Sequence, residues 1–166
     1  RGPAFDAIGA EHRAVRERVA LIDMTSFSKY EVRGTGALAL LQKLAVNDVD
    51  RPVGTIVYTQ LCNERGGIEA DVTITRLADD RFYFVTGSAL GVRDRSTIER
   101  HLPADASVDI VEQTSAKAVL NLCGPRARDV LASLTDAPLD NASFPYMSAR
   151  VLDVANAPVL ALRVTY

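Results

Sequence analysis

Tryptophan is absent from the 166 residues, cysteine and histidine occur twice each, and aromatic side chains make up 6%. Cys62 and Cys123 each stand alone, so a disulfide framework and a thiolate metal site are unsupported. That usage fits a reducing compartment, the cytoplasm or, in a eukaryote, the mitochondrial matrix. His12 falls in a helical stretch and His101 in a charged helix end beside Arg100. Neither has a nucleophile setting, which leaves serine or cysteine hydrolysis without its base. No apolar run approaches the roughly 18 residues of a membrane helix. The opening Arg1-Gly2-Pro3-Ala4-Phe5 also lacks a charged-then-apolar leader, so no membrane partner is expected. A net charge of −2 offers no cationic field for a phosphate backbone, and nucleic acid is not an expected partner.

What is present is a globular composition, 48% hydrophobic and 24% charged, at a length that suits one domain burying about 70% of its unfolded surface. Residues 8–20 read as a helix with Ile8, Val15 and Val19 on one side. Residues 26–33 alternate as a strand, and Gly34-Thr35-Gly36 opens a helix with Leu38, Leu41 and Leu44 at core spacing. A glycine-rich turn between strand and helix superficially matches a dinucleotide fingerprint, but Asn47-Asp48-Val49-Asp50-Arg51-Pro52 follows as a turn, where a βαβ unit requires a second apolar strand and a ribose-binding acid.

Strands are predicted over 81–86, 108–111, 116–123, 149–154 and 158–166. A helix over 89–102 is expected to bury Val92, Ile98 and Leu102. A second, starting at Gly124-Pro125, is expected to bury Ala127, Val130, Leu131 and Leu134. The order gives an α+β domain of antiparallel sheets with helices packed on one side. The chain stops inside an apolar alternating segment, so an excerpt of a longer polypeptide is expected.

The most informative stretch is Tyr58 to Arg76. An alternating run, a polar turn at Asn63-Glu64-Arg65-Gly66-Gly67 and a second alternating run predict a β-hairpin closed by a glycine-containing loop. In its second strand Ile68, Ala70, Val72 and Ile74 share one face, and Glu69, Asp71, Thr73 and Thr75 the other. Aspartate is a poor strand former. Asp71 inside a strand runs against local preference, and such violations gather at functional sites.

Asn63 to Asp71, with Tyr58 upstream, resembles the N-E-x-G-G-[IV]-x-x-D segment of the aminomethyltransferase family. That family includes the glycine-cleavage T protein and the folate-binding domains of sarcosine and dimethylglycine dehydrogenases and oxidases. Glu11 to Glu17, Ile22 to Ser26, Val32-Arg33-Gly34, Leu41-Gln42 through Asn47-Asp48-Val49, and Cys123 to Ala127 resemble its other landmarks in order. Phe84-Val85-Thr86-Gly87-Ser88 is more similar to the amine dehydrogenase branch than to the glycine-cleavage branch, which carries Asn near Thr86.

The resemblance implies a folate-binding fold built from ferredoxin-like and Greek-key elements. It implies tetrahydrofolate as cofactor and, on a separate domain of the same polypeptide, FAD. The partners implied are folate, an iminium or amine intermediate, and that flavin domain; the product is 5,10-methylenetetrahydrofolate.

By residue-by-residue match Asp71 falls at the catalytic aspartate, Tyr58 and Tyr166 at folate-contacting tyrosines, Tyr146 in a similar role, and Thr86 at the Asn position. Such a carboxylate, in a partly dry pocket, stabilises developing positive charge and handles the proton of the nucleophilic nitrogen. Two other readings are a glycine-cleavage aminomethyltransferase, which takes its carbon from a lipoyl carrier protein, and a non-catalytic folate-binding module. The folate-binding proteins of iron–sulfur assembly depend on a Lys-Gly-Cys motif that neither cysteine here supplies. In the family, the segment like Arg163 to Tyr166 leads into a Gly-Glu loop whose acid contacts the pterin.

Overall fold

The computed structural model describes residues 2–165. The chain runs through α1 (Phe5–Glu17), β1 (Ala20–Asp23), β2 (Ser28–Arg33), α2 (Ala37–Leu44), β3 (Ile56–Cys62), β4 (Ile68–Ala78) and β5 (Arg81–Thr86). A 3-10 turn (Ser88–Leu90), α3 (Gly91–Glu99), β6 (Asp109–Glu112), β7 (Leu120–Cys123), α4 (Ala127–Ala132), β8 (Ser148–Val154) and β9 (Ala157–Arg163) follow. A five-stranded antiparallel sheet in the order β3-β4-β5-β2-β6 is accompanied by the pairs β1-β7 and β8-β9.

Register decides what each face of the large sheet buries. Ser28, Tyr30 and Val32 oppose Thr86, Phe84 and Phe82, and Phe84 opposes Ile74. Directly opposed residues share a face. On this face Val72, Ile74, Phe82, Phe84 and Val32 pack against Leu40, Leu41 and Leu44 of α2 and Ile98 of α3, making the main core. A smaller core joins Leu139, Phe144 and Leu152.

The opposite face carries Tyr58, Asp71, Thr73, Val85 and Lys29, in rows set by the pairings Tyr58–Thr73, Gln60–Asp71, Thr73–Val85 and Lys29–Val85. The β8–β9 hairpin joins this sheet through its backbone, with the Ile56 amide donating to the Met147 carbonyl at 2.9 Å and the Ala149 amide to that of Gly54 at 2.7 Å. Its own turn is Ala155-Asn156, both at positive φ of 50° and 66°, the geometry of a type I′ hairpin.

The expected hairpin forms, and Ala70, Val72 and Ile74 are buried as predicted, whereas Ile68 at the loop end is 69% exposed. Several helical expectations are corrected. In α3 Val92 is 82% exposed and Leu102, beyond its end, is 37% exposed, so only Ile98 of the expected trio is in the core. The buried stripe of α3 is instead Gly91, Asp94, Thr97 and Ile98.

The helix after Gly124 is only Ala127–Ala132 and buries no residue fully; Val130 and Leu134 are exposed, and Leu131 packs on the smaller core. α1 likewise buries no residue fully, and Ile8 points outward at 61% exposure. Residues 20–23 form β1, a strand that periodicity did not separate from the helix before it.

Candidate functional site

The loop of the β3–β4 hairpin is organised by Asn63. Its side-chain oxygen accepts the amides of Arg65 (3.0 Å) and Gly67 (2.9 Å), and its amide nitrogen donates to Glu69 Oε1 at 2.7 Å. Asx-type bonding of this kind lets one side chain replace the backbone pairings that a loop lacks. Gly66 takes φ 77°, which glycine adopts without steric cost. The loop sets the register that puts Asp71 opposite Gln60 and Thr73 opposite Tyr58.

Tyr58 and Asp71 are thereby diagonal neighbours on one face. The Tyr58 hydroxyl donates to Asp71 Oδ2 at 2.8 Å. This bond, followed by burial and the carboxylate charge, raises the pKa of the phenol. Tyr58 is therefore a fixed proton donor at neutral pH, and it holds the carboxylate by one oxygen. Asp71 Oδ1 has no partner among the described residues.

The expected dry pocket is not formed by the described residues, since Asp71 is exposed and Tyr58 is 51% exposed. The physical reason is position. The β8–β9 hairpin attaches near Ile56, at the start of β3, while Asp71 sits toward the loop end of the sheet, beyond its cover.

The other expected residues divide. Tyr146 is 58% exposed and immediately precedes Met147, whose carbonyl accepts the Ile56 amide, so it flanks the edge of β3 two residues along from Tyr58. Thr86 lies on the opposite, helix-facing side. It is 3% exposed, and its hydroxyl donates to Asp94 Oδ2 at 2.5 Å. Its side chain ties β5 to α3 and does not join Tyr58 and Asp71. Tyr166 lies outside the described residues.

Two buried charges were not singled out from sequence. Asp94, 1% exposed, accepts from Thr86 and is paired with Arg93 at 3.2 Å; Arg93 also donates to the Glu69 carbonyl, linking α3 to the β4 strand that carries Asp71. Lys29 is fully buried on the Tyr58 face. Its ammonium donates to the carbonyls of Thr25 (2.7 Å) and Phe27 (2.9 Å). Desolvation lowers its pKa, opposed by the charge of Asp23. Alternation in residues 28–33 gave Lys29 the look of an ordinary solvated strand position.

Tyr58, Gln60 and Asp71 together present a ring surface, an amide and a carboxylate with one free oxygen. That donor set fits a flat heterocycle bearing amide-like edges. The site is thus a hairpin-borne carboxylate on the open face of a helix-backed antiparallel sheet, in an α+β domain.

The chain belongs to the GCVT N-terminal domain family, whose pattern matches residues 1–166. It is 39% identical over 155 residues to the mitochondrial pyruvate dehydrogenase phosphatase regulatory subunit of Mus musculus, covering 92% of this chain and 18% of that protein. It is 35% identical to the formaldehyde-forming 4-methylaminobutanoate oxidase of Paenarthrobacter nicotinovorans, with 98% and 20% covered. To human mitochondrial dimethylglycine dehydrogenase it is 31% identical, with 98% and 19% covered.

The chain thus spans about a fifth of the length of these relatives. Its fold superposes on glycine cleavage system aminomethyltransferase T from Bartonella henselae with a TM-score of 0.73 at 28% identity, covering 84% of this chain and 37% of that one. The domain is related both to aminomethyltransferases, the glycine-cleavage T protein among them, and to dimethylglycine dehydrogenase. The relatives include enzymes, and no helix among the described residues is long and apolar enough to cross a membrane.

Proposed function

We propose that this chain is the tetrahydrofolate-binding one-carbon-transfer domain of an amine-oxidising flavoprotein of the sarcosine or dimethylglycine dehydrogenase type. The observation that carries the reading is the Tyr58–Asp71 pair, 2.8 Å between hydroxyl and carboxylate, on an open sheet face in a chain akin to two N-methyl-amine-oxidising proteins. Tetrahydrofolate supplies a nucleophilic nitrogen that takes up a one-carbon unit.

Every other part of the work falls to the protein. Tyr58 fixes one carboxylate oxygen and leaves Oδ1 free to accept the proton of that nitrogen and to stabilise a nearby cationic carbon. The ring of Tyr58 offers stacking surface beside it, with Tyr146 further along the edge of β3, and a ligand lying on this face displaces the water that otherwise screens the carboxylate. The flavin belongs, in this reading, to a separate domain that delivers the oxidised amine.

The test is methylenetetrahydrofolate formation by the intact protein and its Asp71→Asn form. A loss of about 10²–10³ in kcat is expected for removing a preorganised charged group. Equal output from the two forms sinks the role of Asp71. Turnover with a lipoyl-bound aminomethyl donor in place of a methylated amine would favour the glycine-cleavage reading, which the likeness to aminomethyltransferase T supports. Folate binding with no turnover in either form would favour a non-catalytic module, a reading supported by the likeness to a regulatory subunit.

A further inference from the structure

A cleft of about 300 Å³ lies between the β8–β9 hairpin and the large sheet, lined by Glu31, Arg81 and Tyr83 of the sheet, by Lys117, and by the apolar Val151 and Leu160 of the hairpin. Its size is at the lower end of small-ligand sites. It lies on the face that carries Asp71 but well along the strands from it. Thr75, directly opposite Tyr83, is four residues from Asp71, or about 13 Å at the strand rise.

One hydroxyl in the cleft is open to a ligand. Tyr83 is 5% exposed, yet its hydroxyl has no hydrogen-bond partner among the described residues. The hydroxyl itself remains accessible, unlike the enclosed Thr75 Oγ1. Burial, with the Glu31 charge second, pushes this phenol up to about 12, so it remains a donor.

The charges are also unbalanced. Arg81 Nε stands 3.6 Å from Glu31, which leaves the remaining guanidinium N–H groups available, since arginine carries five donors. Lys117 is exposed and pairs with no carboxylate among the described residues. Two cations against one carboxylate leave a net positive charge beside an apolar wall and a spare hydroxyl donor.

We propose that this cleft binds a small organic monocarboxylate, its charge held by Arg81 and Lys117 with Tyr83 donating, and its apolar body against Val151 and Leu160. The proposal stands apart from the reaction assigned to Asp71.

Calorimetric titration of the intact protein with benzoate, and with benzamide as its neutral counterpart, tests it. Benzoate is expected to bind about tenfold or more tightly than benzamide. Arg81→Gln and Lys117→Gln are each expected to weaken benzoate by about five- to tenfold, as for loss of one charge-assisted contact. Glu31→Gln should act in the opposite direction and tighten binding, because it removes the competing carboxylate; a merely structural role for the cluster would make all three variants weaken it. Lys117 is exposed, so its variant keeps the test sound should Arg81→Gln fail to fold. Equal affinities for benzoate and benzamide, no heat up to about 10 mM ligand, or weakening by Glu31→Gln would overturn the proposal.

Discussion

At the scale of single residues, the clearest pH-dependent contribution belongs to a carboxylate outside the candidate site. Asp140 Oδ1 accepts the amides of Ala142 (2.8 Å) and Ser143 (3.0 Å), closing the turn that delivers Phe144 to the smaller core. The Ser143 hydroxyl and those amides hold the Asp140 carboxyl at about 2, below its ordinary 3.8. A folded-state pKa below the unfolded one means that the unfolded chain binds the proton more readily. Stability from this group is therefore complete above pH 3.8 and is lost as pH falls toward 2. Asp140→Asn is expected to flatten that part of the acid unfolding curve, read by circular dichroism across the same interval. An unchanged slope would assign the acid limb to other carboxylates.

At the scale of the element, α3 shows how a helix can dock without an apolar stripe. Its inward residues Gly91, Asp94 and Ile98 recur at helical spacing, but two of the three are invisible to a search for hydrophobic periodicity. Gly91 lies directly over the side chain of Ser28, with the Tyr30 hydroxyl 3.0 Å from where a Cβ would stand. Ala is ordinarily favoured over Gly inside a helix by about 1 kcal/mol. Here the sign reverses, because the methyl group would push α3 off the sheet and strain the Thr86–Asp94 bond. Gly91→Ala is expected to destabilise by about 1–3 kcal/mol, the range of overpacked cores, read as a lower urea midpoint at constant m-value; a rise in the midpoint would contradict the close docking.

The same element marks where reading the sequence succeeds and where it stops. The β3–β4 hairpin, β5 and the leucines of α2 were legible, because alternation and turn chemistry are local properties. Val92 and Leu102 were misplaced since periodicity says which residues share a face, not which face meets the sheet. Asp71 stood out as an aspartate inside an alternating strand behind the Asn63 to Gly67 turn, but its hydrogen bond to Tyr58 did not, because it depends on cross-strand register. Lys29 and Asp94 were not legible, because a polar residue in an alternating pattern carries no mark of burial by elements far away in the chain.

At the scale of the whole molecule, the domain is one large core with lightly attached satellites. Among the described residues, fifteen form the main cluster, from Tyr30 to Val108, and Leu139, Phe144 and Leu152 form the second. The β8–β9 hairpin is joined to the large sheet by the Thr55–Ser148 bridge and the backbone bonds at Gly54 and Ile56. Two-stranded hairpins are marginal alone, so this one depends on Leu152, on those few bonds, and on Arg150 and Arg163, which bond to the 138–144 segment. Native-state hydrogen exchange is therefore expected to separate two units, with β4 and β5 amides opening only on global unfolding and β8 and β9 amides through a smaller, less costly opening.

Leu152→Ala sharpens the test. A buried leucine truncation removes about 2–5 kcal/mol, and that loss should fall on the opening of β8 and β9 while β4 and β5 keep most of their protection. A drop of equal size in all four strands would mean that hairpin and sheet unfold as one cooperative body. The cleft between them would then be a rigid feature of the core instead of a gap that opens with its hairpin.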